Sequence, residues 1–140
     1  MNKIAVVYWS STGNTEEMAN QVAEGAKAAG AQVSLLPADE FSPDAADAYD
    51  AIAFGCPSMG DETLEETEFQ PLWDGTEPKL KGKKIALFGS YGWGDGEWMR
   101  SWEQSCKNGG LTLSADSVIC CEEPDDEAKE SCRALGAALA

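Results

Sequence analysis

Three short, almost uninterrupted apolar runs stand out in this chain: Ile4-Ala5-Val6-Val7, Ala51-Ile52-Ala53-Phe54-Gly55 and Ile85-Ala86-Leu87-Phe88-Gly89. A strand wetted on one face alternates apolar and polar residues, whereas a strand apolar throughout must be covered on both faces. Between these runs lie longer segments with helical periodicity. From Thr15 the residues Met18, Ala19, Val22, Ala23 and Ala26 recur at helical spacing. Thr12, Asn14 and Thr15 offer cap chemistry, Glu16 and Glu17 suit the positive helix end, and Gly30 stops the helix.

The remaining segments follow the same rhythm. The first strand is read over residues 3–9, and a second over 32–36 is ended by Pro37. Ser42-Pro43 has the form of a cap and first position of a short helix. A short helix is expected over 65–73, with Phe69, Leu72 and Trp73 inward. Another runs to Lys107, with Trp98, Met99, Trp102 and Cys106 on one side. A fifth strand over 111–120 is interrupted near Asp116, and Pro124 introduces a final helix over 125–139. Strands alternating with helices imply right-handed crossovers and a parallel sheet covered on both faces. The expected fold is therefore α/β: a three-layer sandwich whose five-stranded parallel sheet has order 2-1-3-4-5. The 140 residues are expected to form one domain, 1–140, with no repeat, low-complexity stretch or linker.

Composition narrows the chemistry. Lys plus Arg number 10 against 25 Asp plus Glu, a net charge of −15. That field repels nucleic acid and anionic membranes. It either attracts basic protein patches or simply confers solubility. The absence of histidine excludes His-based acid–base catalysis, His-activated nucleophiles and His-ligated metals. Five cysteines without CxxC spacing fit neither a disulfide framework nor a zinc site, and are read as reduced, mostly buried thiols. No apolar stretch is long enough to span a bilayer, and residues 1–3 lead straight into a strand without a signal-peptide core. The protein is expected to be soluble, cytoplasmic and monomeric, with no metal and no catalytic residue.

In a doubly wound sheet, ligands bind beyond the carboxyl ends of the strands near the topological switch. Three glycine-containing loops fall there. Ser10-Ser11-Thr12-Gly13-Asn14-Thr15 joins the first strand to a helix N-terminus and carries four hydroxyls, an amide and a glycine, but no Lys or Arg. Free amides and the helix dipole favour an anion there, although ordinary capping is the plain alternative. The Gly-Lys-Ser/Thr pattern of a Walker A loop is missing. Cys56-Pro57-Ser58-Met59-Gly60-Asp61-Glu62 and Ser90-Tyr91-Gly92-Trp93-Gly94-Asp95-Gly96 follow the third and fourth strands. Met59 and Trp93 on polar loops suit the faces of a flat conjugated ligand; each by itself could equally fold back over the core. The lack of cations in all three loops points to a monophosphate rather than a multiply charged nucleotide.

Three motifs in order, Tyr8-Trp9-Ser10-Ser11-Thr12-Gly13-Asn14-Thr15, Met59-Gly60-Asp61-Glu62 and Phe88-Gly89-Ser90-Tyr91-Gly92-Trp93-Gly94-Asp95-Gly96, resemble the short-chain flavodoxins, especially the clostridial type, over nearly the whole length. The resemblance implies a non-covalently bound FMN whose phosphate is held by Ser10, Thr12, Asn14 and Thr15, within a loop that includes Ser11 and Gly13. It implies Met59 and Trp93 against opposite faces of the isoalloxazine, and Glu62 accepting from ring N3–H. Backbone groups around Gly92, Trp93 and Gly94 would serve the pyrimidine edge, with Ser90, Tyr91 and Asp95 in the same loop. The Gly60–Asp61 peptide would turn over on reduction, so that its carbonyl accepts the new N5–H. Where some relatives have a phosphate-binding hydroxyl residue this chain has Pro57, with Ser58 beside it. Glu122, after the last strand, is placed near the ribityl chain.

The function implied is one-electron transfer at low potential, shuttling between semiquinone and hydroquinone. A hydrogen bond available only to protonated N5 contributes about 1 kcal/mol. At about 59 mV per tenfold change, it shifts the first couple by tens of millivolts. Repulsion from Asp61, Glu62, Asp95 and the uncompensated phosphate opposes the second electron. Expected partners are redox proteins with basic docking patches, such as ferredoxin-type oxidoreductases, and neither nucleic acid nor membrane. The alternative is a small NAD(P)H-dependent flavin or quinone reductase of the same fold, for which the short chain leaves little room for a nicotinamide site. A phosphoacceptor signalling domain would need acidic residues after the first strand and an Asp after the third, where this chain has Ser10-Ser11 and Cys56-Pro57-Ser58.

Overall fold

The computed structural model describes residues 2–11, 13–59, 63–92 and 94–140. In chain order these form β1 (Lys3–Tyr8), α1 (Asn14–Ala28), β2 (Gln32–Pro37), β3 (Ala51–Gly55), α2 (Phe69–Thr76), β4 (Lys84–Tyr91), α3 (Glu97–Asn108), β5 (Thr112–Leu113), β6 (Val118–Cys121) and α4 (Asp126–Leu139). Short 3-10 segments, Ala38–Glu40, Pro43–Ala48 and Glu77–Lys79, complete the connections. The strand order is β2-β1-β3-β4-β5, with β6 also paired to β4 and every named pairing parallel. The fifth position of the sheet thus holds two segments, as the break near Asp116 foreshadows. β5 pairs with Lys84 and Ile85, while β6 resumes beside Phe88 to Tyr91.

The apolar runs are buried because the two sides of each strand face different helix layers. Ala5, Val7, Ile52, Phe54, Ile85 and Leu87 join one core with Phe69 and Trp73 of α2 and Trp98, Met99 and Trp102 of α3. Alternate residues Ile4, Val6, Ala51, Ala53, Ala86 and Phe88 join a second core with Met18 and Val22 of α1 and Cys132, Leu135 and Leu139 of α4. This is the period-two alternation of a pleated strand, with apolar partners on both sides. In the first core Trp73 meets Phe54 edge-on at 5.1 Å and Trp102 edge-on at 5.4 Å, geometries that aromatic quadrupoles favour. In the second layer α1 and α4 approach backbone to backbone. A Cβ on Gly25 would collide with the Arg133 carbonyl, and one on Gly136 with the Val22 carbonyl.

α2 starts at Phe69, four residues later than its periodicity suggests. The cause is Glu65, whose side chain turns back over the chain that follows it. Its carboxylate accepts from the backbone N–H groups of Thr67 (2.9 Å), Glu68 (2.7 Å) and Phe69 (2.9 Å), and from the Thr67 hydroxyl. Residues 66–68 are therefore a turn that feeds the helix. Burial favours the neutral Glu65 acid, but these donors outweigh it and bring the carboxyl down to about 2.

Candidate functional site

The parallel strands bring Tyr8, Gly55 and Tyr91 to the same edge of the sheet, so the loops leaving β1, β3 and β4 meet there. They enclose a crevice of about 460 Å³ lined by Ser11, Asn14, Pro57, Ser58, Met59, Ser90, Tyr91, Gly92, Glu122 and Glu123. That volume lies in the range of about 300–1,000 Å³ usual for small-molecule and cofactor sites.

The first loop leads from β1 into the N-terminus of α1. Gly13 caps α1 in the left-handed conformation, φ 96°, which a residue with a Cβ rarely adopts. In this turn the N–H groups of Gly13 (3.1 Å) and Glu16 (3.3 Å) both donate to Ser10 Oγ. Ser10 Oγ thus takes up two backbone donors of the helix end. Thr15 lies beneath this loop, 1% exposed, with its hydroxyl 2.8 Å from that of Ser90 on β4. Thr12 lies outside the described residues.

The second loop is anchored at both ends. Ser58 N–H donates to the Ser90 carbonyl at 3.0 Å, and Met59 and Thr63 exchange two backbone hydrogen bonds of 2.9 and 3.1 Å. Gly60, Asp61 and Glu62, between them in sequence, lie outside the described residues. Beneath the loop, the Glu65 N–H donates to Cys56 Sγ at 3.4 Å and the Trp98 indole donates to the Cys56 carbonyl at 3.1 Å. Burial pushes the Cys56 thiol up to about 12, so it is a packing and hydrogen-bonding group rather than a nucleophile. Cys106 and Cys132 are likewise pushed to about 12, burial again being the main cause.

In the third loop Tyr91 leans on Trp98, ring centroids 5.5 Å apart, and Gly92 is exposed beside it. Trp93 lies outside the described residues. Beyond it Gly94 has φ 84°, and Arg100 reaches back from α3 to hold the turn. Its guanidinium donates to the Asp95 carbonyl (3.0 Å), the Asp95 carboxylate (2.8 Å) and the Glu97 carboxylate (2.7 Å). The guanidinium holds the Asp95 carboxyl below its usual range.

The donor chemistry of this crevice fits FMN. Ser11, Asn14, Ser58 and Ser90 bring hydroxyls and an amide to the crevice, and Met59 and Tyr91 bring apolar surface. Apart from its chain neighbours, no heavy atom lies within 4 Å of where a Cβ on Gly92 would project, so this lining glycine leaves room for a ligand. Among the described lining residues there is no Lys or Arg. On the other side of the first loop a cavity of about 450 Å³ is lined by Tyr8, Trp9, Glu16, Asp39 and Glu68 together with Ser10, Ser11 and Gly13. It carries three carboxylates, Glu16, Asp39 and Glu68, against the two, Glu122 and Glu123, of the crevice between the three loops. Glu122, at the crevice, takes φ 59°, a conformation rare for a residue with a side chain.

The flavodoxin family model matches residues 6–136. The chain is 45% identical over 137 residues to a flavodoxin of Megasphaera elsdenii, covering 98% of each protein. The chain belongs to the flavodoxin family. A flavodoxin of Clostridium beijerinckii is 43% identical over 135 residues, 96% of this chain and 97% of that one. The solution structure of two-electron reduced Megasphaera elsdenii flavodoxin superposes with a TM-score of 0.88, covering 97% of both chains. Both relatives are of the short-chain type.

Of the residues singled out in the sequence, the structure gathers Ser11, Asn14, Pro57, Ser58, Met59, Ser90, Tyr91 and Gly92 on one crevice. Ser10 and Gly13 line the cavity across the loop, Thr15 is buried below it, and Gly94 and Asp95 stand beyond Tyr91 at the start of α3. Sequence reasoning missed the residues that hold the loops: Glu65, Trp98 in its hydrogen-bonding role, and Arg100. Only Arg100 left a legible signal, as a cation five residues after Asp95 and three after Glu97 at the start of a helix.

Proposed function

We propose that this protein, folded as a single domain over residues 1–140, shuttles single electrons at low potential between cytoplasmic redox enzymes, as a monomer. As a flavodoxin-family member it is an FMN-binding electron carrier, not an enzyme, and the reductase alternative is not favoured. When bound, FMN supplies reversible one-electron chemistry.

The chain's own residues bind, orient and electrically bias that group. Ser10, Ser11, Gly13, Asn14 and Thr15, with Thr12 by resemblance, would hold the phosphate. Pro57, Ser58, Met59, Ser90, Tyr91 and Gly92, which line the crevice, would take the rest of the group, with Trp93, Gly94 and Asp95 assigned to it by resemblance. Gly60, Asp61 and Glu62, outside the described residues, are assigned to FMN by the resemblance alone. With Glu122 and Glu123 at the crevice and no basic residue among its described lining, added negative charge is disfavoured, which supports a strongly reducing carrier. The acidic surface steers partners with basic docking patches, such as ferredoxin-type oxidoreductases, and neither nucleic acid nor membrane is a partner. Among the described residues no helix is long and apolar enough to cross a membrane.

The observation that carries this reading is the convergence of three loops from adjacent parallel strands on one crevice that combines hydrogen-bonding groups with the apolar surface of Met59 and Tyr91. Titrating apoprotein with FMN tests it: flavin fluorescence should be quenched at a single site with one-to-one stoichiometry. Absence of quenching would contradict it.

A further inference from the structure

We propose that Ser90 is a positioning residue that aims the Thr15 hydroxyl at the phosphate, and so makes the site select FMN over riboflavin. The inference rests on the FMN reading above. Thr15 and Ser90 are 75 residues apart in sequence, yet both are almost wholly buried, 1% and 5% exposed. Their hydroxyl oxygens are 2.8 Å apart, and the Ser90 backbone N–H also faces Thr15 Oγ1 at 3.4 Å.

Either hydroxyl can donate to the other, and only one of the two directions frees the Thr15 proton. A hydroxyl has one proton and two acceptor lone pairs. The Ser90 N–H can only donate, so Thr15 Oγ1 is its acceptor. When the Ser90 hydroxyl donates to the same oxygen, both lone pairs of Thr15 are filled and its own proton is left for a third partner. Thr15 is the second residue of α1, next to Asn14, which lines the crevice, so that proton belongs to the helix end that favours an anion. Two donors on one oxygen also polarise its O–H and strengthen the bond it gives to a charged acceptor.

Ser90 has a second tie. Its carbonyl accepts from Ser58 N–H at 3.0 Å. One residue of β4 thereby joins the first loop, through Thr15, to the second, through Ser58. Riboflavin has no phosphate to receive the Thr15 proton.

The test measures dissociation constants of FMN and riboflavin, by quenching of flavin fluorescence, for the full chain and for Ser90→Ala, Thr15→Val, Thr15→Ser and the Ser90→Ala/Thr15→Val double variant. Ser90→Ala should weaken FMN binding roughly tenfold, the scale of a charge-assisted hydrogen bond, and leave riboflavin unchanged. Thr15→Ser should retain FMN preference, and Ser90→Ala should cost nothing further once Thr15 is Val. Equal weakening of both flavins by Ser90→Ala would show a general packing role and overturn the inference. Additive losses in the double variant would overturn it as well. A wild-type protein that binds neither flavin would instead overturn the FMN reading, and the inference with it.

Discussion

The indole N–H of Trp98 donates to the carbonyl of Cys56 at 3.1 Å, tying the first turn of α3 to the residue that follows β3. Trp98 is 1% exposed, and the Cβ that Gly89 lacks would stand 3.1 Å from its ring, so β4 has little slack beside the indole. Trp98→Phe keeps most of the apolar volume and leaves the Cys56 carbonyl without this donor. The expected loss is about 1–3 kcal/mol of stability, the desolvation cost of an orphaned buried acceptor. A urea transition measures it, and an unchanged midpoint would show the bond to be dispensable.

Glu65 gives the protein an acid-sensitive joint. Its carboxyl is held at about 2, against an ordinary 4.5, by the donors of residues 67–69 in spite of burial. A depressed folded-state value contributes stability that is fully present above the unfolded value and lost as pH falls through the folded one. Wild-type stability should therefore decline between about pH 4.5 and 2. Glu65→Gln should cost about 1–2 kcal/mol near neutral pH, and the gap should narrow across that acid range. Thermal melts at several pH values check this; a gap constant with pH would contradict the assignment.

Arg100 holds the end of the third loop with bonds to the Asp95 carbonyl and to two carboxylates. These groups are exposed, so solvent and salt screen them. Arg100→Gln should weaken FMN binding only about two- to fivefold, with the difference shrinking as salt is added. Arg100→Lys keeps the charge but loses the planar fork, and should fall between the two. Fluorescence titrations at low and high salt separate these outcomes. Equal affinities at low salt would leave the clamp without a role in binding.

How much of this was legible in the sequence depended on the range of the interactions. The apolar runs at 4–7, 51–55 and 85–89 marked the central strands because burial on both faces leaves an unbroken local signature. Strand order placed the three loops together, and the chemistry of Ser11, Asn14 and Met59 was readable once they were on one crevice. The late start of α2 was not, because Glu65 caps through a side chain seldom used for that purpose and periodicity saw only Phe69, Leu72 and Trp73. Nor was the Thr15–Ser90 contact, which spans 75 residues between two hydroxyls that each looked like loop chemistry. The interruption at Asp116 was legible as a break in an apolar run; that both halves pair with β4 was not.

The central claim, a carrier of single electrons, is tested most directly by reductive titration of the FMN-reconstituted protein under anaerobic conditions, followed by visible absorbance and potential. The account predicts two resolved one-electron steps, the second at a clearly more negative potential, because the residues at the crevice oppose added negative charge without a basic partner among them. A single unresolved two-electron step would contradict it.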